Sequence, residues 1–263
     1  LQLEQLHLRA CAGAELTVGH GQPLAEVLVD EDIVLAIAEA DASGAEQAIK
    51  DLLNSPDENT RKVALYALSQ IGSVGSLSTL GDLAAKSGYS MEKTGANEAY
   101  IALIKKLANQ GDTKVAESAA SDLMTRPTKD GKTKTRDAAL EILVSIQKEK
   151  GLKLILDALK DDSKEYRNAA LSYASGIVSD PVYIELIKAM DKAKPAPKTD
   201  VLNWIASQCQ CPVQKENLRK LMIRFDLPAL DLIRKQLKNN DYDVKEATVW
   251  ALVKLGDPNT IGH

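Results

Sequence analysis

A nine-residue phrase recurs along the chain in helical register, and it restricts the possible folds more than any other feature. It reads Thr60-Arg61-x-x-Ala64-x-x-Ala67-Leu68, then Thr135-Arg136-x-x-Ala139-x-x-Ile142-Leu143. It returns as Tyr166-Arg167-x-x-Ala170-x-x-Tyr173-Ala174 and as Val244-Lys245-x-x-Thr248-x-x-Ala251-Leu252. A weaker copy, Lys198-x-x-Val201-x-x-Trp204-Ile205, opens at its basic residue. Arg136, Arg167 and Lys198 stand 31 residues apart. Such an interval belongs to stacked supersecondary units rather than to one closed domain. Counted from 0 at the first residue, positions 0, 4, 7 and 8 share one helical face at about 100° per residue. That face is the expected seam between helices. Ala64, Ala67, Ala139, Ala170 and Ala251 keep it narrow, so helix axes can approach to about 8–10 Å.

The copies predict antiparallel helix pairs in which each second helix carries the phrase. The pairs are 45–53 with 59–71, 77–86 with 92–109, 114–124 with 135–147, 152–159 with 165–178, 182–190 with 198–207, and 228–237 with 243–255. A helix over 214–224 stands unpaired or inserted. Ser55-Pro56-Asp57, Gly111-Asp112, Lys194-Pro195-Ala196-Pro197 and Cys211-Pro212 punctuate the series, since proline fixes the backbone and removes a donor. No stretch alternates with period two long enough for a strand. The expected fold is therefore all-α, a right-handed α-α superhelix of about six helical pairs. Residues 1–42 fit the repeat poorly, broken by Gly13, Gly19, Gly21 and Pro23. They read as an atypical N-terminal cap or arm, with helices over 1–9 and 27–40. Residues 43–263 read as the solenoid, truncated at the C-terminus because another repeat is expected after Asp257-Pro258.

Composition agrees. Hydrophobic residues make up 44% but aromatics only 4%, with one Phe and two Trp, so Leu, Ala, Ile and Val carry the burial in thin helical layers. The net charge of −4 comes from interspersed acids and bases. Nucleic-acid binding, which needs a basic stripe, is disfavoured. No apolar run reaches the ~18 residues of a membrane span.

The segments 57–72, 162–174 and 243–257 (DENTRKVALYALSQIG, DSKEYRNAALSYA and DVKEATVWALVKLGD) resemble the HEAT-like repeat family of armadillo-type α-solenoids. The short interval is similar to the compact subclass found in phycobilin-attachment proteins. The resemblance spans roughly residues 45–258 and implies a fold rather than an activity. A narrower likeness lies in 90–100 and 165–171, which look like repeat regions of exported bacterial (Bacteroidetes) proteins that also carry a 3-keto-disaccharide hydrolase-like domain. That likeness implies an exported location, periplasm or cell surface, ahead of the cytoplasm.

Candidate chemistry is sparse. Cys209-Gln210-Cys211-Pro212 suggests a metal pair, but a structural zinc site wants four Cys or His ligands. The others, Cys11, His7, His20 and His263, are far off in sequence. Two partly buried thiols at a helix end are the expectation, and the three cysteines leave the compartment open. The carboxylate pairs Asp57-Glu58, Asp161-Asp162 and Asp241-x-Asp243 sit where helices begin, so they are read as caps rather than as acid–base partners. Arg61, Arg136 and Arg167 are expected to form an inter-repeat ladder rather than an anion site, each contacting a carboxylate or carbonyl near a repeat turn, with Asp57, Asp162 and Asp243 as the acidic partners to check. Gly72-x-x-Gly75 lacks the strand and the Gly-Lys-Ser of a phosphate loop, and 129–134 reads as a solvated basic turn. No catalytic residue, metal site or cofactor is assigned.

Tyr66 and Trp250 both fall at position 6, about 240° from position 0 and off the seam. They are either binding anchors on a rigid exposed face or packing against an adjacent first helix. With Lys62, Asn168, Asn203 and Glu246 they would form a mixed polar–aromatic strip. The expected function is a non-catalytic protein-interaction scaffold presenting a concave helical surface to a protein or peptide. The alternative is an accessory repeat region of a larger carbohydrate-active hydrolase, its catalytic domain covalently linked beyond the C-terminus. A repeat-based DNA glycosylase fits the acidic charge poorly.

Overall fold

A computed structural model describes residues 17–18, 22–23, 43–91, 93–125, 134–210, 212–224 and 229–258. The reading of 1–42 as a cap or arm lies outside these residues, apart from a two-residue antiparallel ladder. That ladder pairs β1 (Thr17–Val18) with β2 (Gln22–Pro23). The chain divides into two compact units, Leu1–Ile142 and Leu143–His263.

The first unit holds α1 (Ser43–Leu52), α2 (Glu58–Ile71), α3 (Leu77–Lys86), α4 (Ala96–Gln110), α5 (Thr113–Thr125) and the start of α6 (Lys134–Gln147). α1 packs on α2, α3 on α4, α2 on α4 and α4 on α5. α2 starts where it does because the Asp57 carboxylate accepts from the Thr60 N–H at 2.7 Å and the Thr60 hydroxyl at 2.8 Å, satisfying donors that a helix end leaves open. The predicted start of α4 at residue 92 is early by a turn. Gly95 takes a left-handed φ of 74° and the helix begins only at Ala96. The loop before it is held by the Tyr89 carbonyl, which accepts from Asn97 Nδ2 at 3.1 Å and Thr135 Oγ1 at 2.7 Å.

The second unit holds the end of α6, then α7 (Leu152–Ala158), α8 (Lys164–Ala174), α9 (Asp180–Lys192), α10 (Pro195–Ser207), α11 (Pro212–Arg224), α12 (Ala229–Lys235) and α13 (Tyr242–Leu255). First helices stack as α7 on α9 and α9 on α12, and second helices as α8 on α10 and α10 on α13. α11 is an insertion that packs against α12 and α13. α8 stops at Ala174 rather than at the predicted 178. Gly176 N–H closes a tight turn on the Tyr173 carbonyl at 3.0 Å, and Pro181 in the first turn of α9 starts a new helix.

The seam is where the phrase placed it. Ala64, Ala67, Ala139, Ala170 and Ala251 are all at most 1% exposed, and Thr135, Tyr166, Val201, Val244 and Thr248 are buried beside them. Alanine at these positions lets the neighbouring helix close on the backbone without a void. The fold is all-α, a series of stacked helical pairs.

Candidate interaction surface

The basic residue at position 1 serves the fold. Arg167 Nη1 donates to the Asp161 and Asp162 carbonyls at 2.8 and 2.9 Å, while its Nε donates to Asp200 Oδ2 at 2.7 Å. Both side chains of that ion pair are nearly fully buried, 5% and 4% exposed. Arg61 Nη1 donates likewise to the Ser55 and Pro56 carbonyls at 2.7 and 2.9 Å. Lys198 Nζ donates to the Asp191 carbonyl at 3.1 Å and to Gln236 Oε1 at 2.8 Å. Burial pushes the Lys198 ammonium below its ordinary pKa.

Arg61 and Arg167 thus meet carbonyls near a repeat turn, as expected, and only the acidic partners differ. A side chain leaving the first turn of a second helix reaches back to carbonyls of the connecting turn, so Arg61 and Arg167 each clamp the turn of their own pair. Asp57, one of the expected acidic partners, caps α2, and Asp241 caps α13. Asp162 contributes its carbonyl. The carboxylate that does meet Arg167 is Asp200, at position 3 of the next second helix, and sequence reading missed it. Ser163 caps α8 through the Tyr166 N–H, with Asp161 Oδ1 accepting from Ser163 N–H at 2.9 Å.

With these basic residues turned inward, amides and rings occupy the outward face. Tyr66 is 45% exposed and Trp250 55%; Asn168, Asn203 and Glu246 are exposed. Lys62 is half-buried and pairs with Glu58 at 2.7 Å. Lys62 and Tyr66 belong to the first unit and the other four to the second.

Within the second unit, Asn168 and Asn203 line one groove between α8 and α10, of about 590 Å³, together with Ser172, Ser175 and Trp204. Its floor is fixed. Trp204 Nε1 donates to Ser175 Oγ at 2.9 Å, and Gln208 Nε2 donates to the same oxygen at 3.1 Å. Behind it, the rings of Tyr183 and Trp204 lie 5.3 Å apart, tilted by 37°, and burial pushes the Tyr183 hydroxyl up to about 12. Glu246 and Trp250 lie beyond this groove on α13, which packs against α10. In the first unit, Lys62 lines a groove of about 400 Å³ with Arg61, Leu65 and Leu83. Tyr66 stands outside it. Serine and glutamine lining the α8–α10 groove carried no sequence signal, because polar residues on a solvent face are unremarked by periodicity alone.

Cys209 is buried and its sulfur contacts the Ile205 carbonyl at 3.6 Å. Burial pushes the thiol up, away from the thiolate a nucleophile needs. Cys211, Cys11 and the three histidines lie outside the described residues. Among the described residues no three His, Cys, Asp or Glu side chains group as metal ligands. Nor is any helix there long and apolar enough to cross a membrane.

Residues 25–101 match the family model for HEAT repeats. HEAT-like repeats are thereby shown over that stretch. No curated protein matches it. A crystal structure of an engineered protein is similar at 18% identity over 97% of this chain and 97% of that one, with a TM-score of 0.31.

Proposed function

We propose that the chain is a non-catalytic scaffold that recognises a protein or peptide through the outward face of its second helices. HEAT repeats are commonly protein-interaction scaffolds. The carrying observation is the rigid groove between α8 and α10, whose open rim bears the uncharged amides of Asn168 and Asn203. Such groups donate and accept at once, so they complement a peptide main chain without requiring charge. Exposed Tyr66 and Trp250 add large rings held on helices, which lose little entropy on binding. The proposed recognition residues are Lys62, Tyr66, Asn168, Asn203, Glu246 and Trp250. A net charge of −4 opposes a phosphate backbone as partner. No cofactor or metal takes part in this reading, and we take residues 43–263 as the repeat region, with 1–42 as its cap or arm.

Capture from the source organism tests the proposal, using wild type, a Tyr66→Ala/Trp250→Ala variant, and Lys114→Ala on first helix α5 as a control. Each captured protein is then titrated against all three. The proposal expects one partner to bind wild type and control equally, and the double variant at least about tenfold more weakly, since anchor truncations cost about 2 kcal/mol or more. Equal affinities for every partner would remove these residues from the site. Turnover of a sugar by the purified chain would overturn the non-enzyme reading.

A further inference from the structure

Arg61 on α2 and Arg167 on α8 hold the same position of the phrase and begin alike. Each Nη1 donates to two carbonyls of its own turn, Ser55 and Pro56 for the first, Asp161 and Asp162 for the second. They end differently. The Nε of Arg167 donates to Asp200 Oδ2 on the next second helix at 2.7 Å. A guanidinium carries five N–H donors in one plane, yet among the described residues no carboxylate pairs with Arg61.

In place of that carboxylate, α2 borders a groove of about 400 Å³. Its walls are two consecutive helix pairs, α1–α2 and α3–α4, so the repeat that follows α2 is already in place and leaves the groove open. Leu65, Leu83 and Ala96 give it an apolar floor. Arg61, Lys62 and Lys86 stand around that floor, and Lys86 is exposed. Among the described lining residues Glu58 is the one carboxylate, and Lys62 already engages it at 2.7 Å. Three cations against one carboxylate make this groove positive in a chain whose net charge is −4.

We propose that this groove binds a peptide segment in which an aspartate or glutamate adjoins apolar side chains, its carboxylate meeting Arg61 as Asp200 meets Arg167. It rests on the reading of the chain as a peptide binder and adds what that peptide carries. The occupant follows from the second unit. There Asp200 is followed by Val201 and Leu202, 1% and 0% exposed, so the carboxylate that completes the guanidinium arrives on an apolar segment. A basic segment would meet like charge in the groove, and a phosphate group would leave the apolar floor uncovered. Lys62 and Lys86 add attraction at the rim, where an acidic residue is drawn in and a neutral one is not.

The probe is acetyl-Thr-Asp-Val-Leu-amide, the sequence of residues 199–202, titrated into the full chain and read from the amide NMR shifts of Lys62, Leu65 and Lys86. The expected result is saturable shifts at these three. Affinity should exceed that of acetyl-Thr-Asn-Val-Leu-amide at least about fivefold, because hydrogen bonds to a charged group are the stronger ones. Arg61→Lys keeps the charge but not the planar fork, so it should narrow that preference. Should this variant fail to fold, Lys86→Glu decides, since it should narrow the preference while Lys114→Glu on α5, the same change of net charge, leaves it intact. No saturable shift, or equal affinity for the two peptides, overturns the proposal. Octanoate that saturates the same shifts where the aspartate peptide does not would assign the groove to a free apolar acid and overturn the stated occupant. Neither Tyr66 nor Trp250 lines this groove, so probe binding and the capture experiment fail separately.

Discussion

Arg167 and Asp200 meet at 2.7 Å with both side chains almost wholly buried. A buried pair is weak evidence of net stabilisation, yet removing one member strands a charge. Asp200→Ala should therefore cost about 3–5 kcal/mol, read as a shift in the urea midpoint. Replacing both residues by apolar ones of similar volume should cost less than the single change. An Asp200→Ala variant as stable as wild type would mean the two groups do not meet. A second expectation concerns acid. Burial raises the Glu46 pKa, but hydrogen bonds from Ser76, Lys50 and Ser73 outweigh it and hold the carboxyl below its ordinary value. Asp57 is held low by the Thr60 N–H and hydroxyl. A carboxylate with a depressed folded pKa contributes stability above its unfolded pKa and loses it as pH falls through the folded value. The melting temperature should thus fall as pH drops below about 4, and Glu46→Gln should flatten that decline. An unchanged acid limb in Glu46→Gln would contradict the assigned hydrogen bonds. The cap at Asp57 was legible because the group it satisfies lies three residues away. Asp200 was not, because its partner lies 33 residues back and no local rule links them.

At the scale of elements, one periodic face explains most of what holds the pairs together. Ala170 is 0% exposed at the seam of α8, so Ala170→Leu should overpack it at about 1–3 kcal/mol. Thermal melts showing no loss for Leu at Ala64, Ala139 and Ala170 alike would contradict the register. Helix identity and pairing were readable from the 3.6-residue period and its proline breaks. The boundaries were less so, for a physical reason. The start of α4 depends on Gly95 taking a left-handed conformation and on a loop tied to Thr135 of another helix, neither of which a local pattern encodes. The placing of α11 depends in the same way on what α12 and α13 leave open to it.

At the scale of the whole molecule, the periodicity that reveals the seam also defines what faces outward, so the exposed positions of Tyr66, Asn203 and Trp250 are legible in the amino-acid pattern itself. The same pattern is silent on the groove that Asn168 and Asn203 share over Trp204, since that depends on how closely α8 and α10 approach. The central claim is that recognition uses the second helices. Hydrogen exchange on the chain bound to its captured partner tests it most directly. The account predicts slowed exchange along α8, α10 and α13, and along α2 in the other unit, with first helices α5, α7 and α9 unchanged. Protection confined to the first helices, with the second helices exchanging as in the free chain, would contradict it.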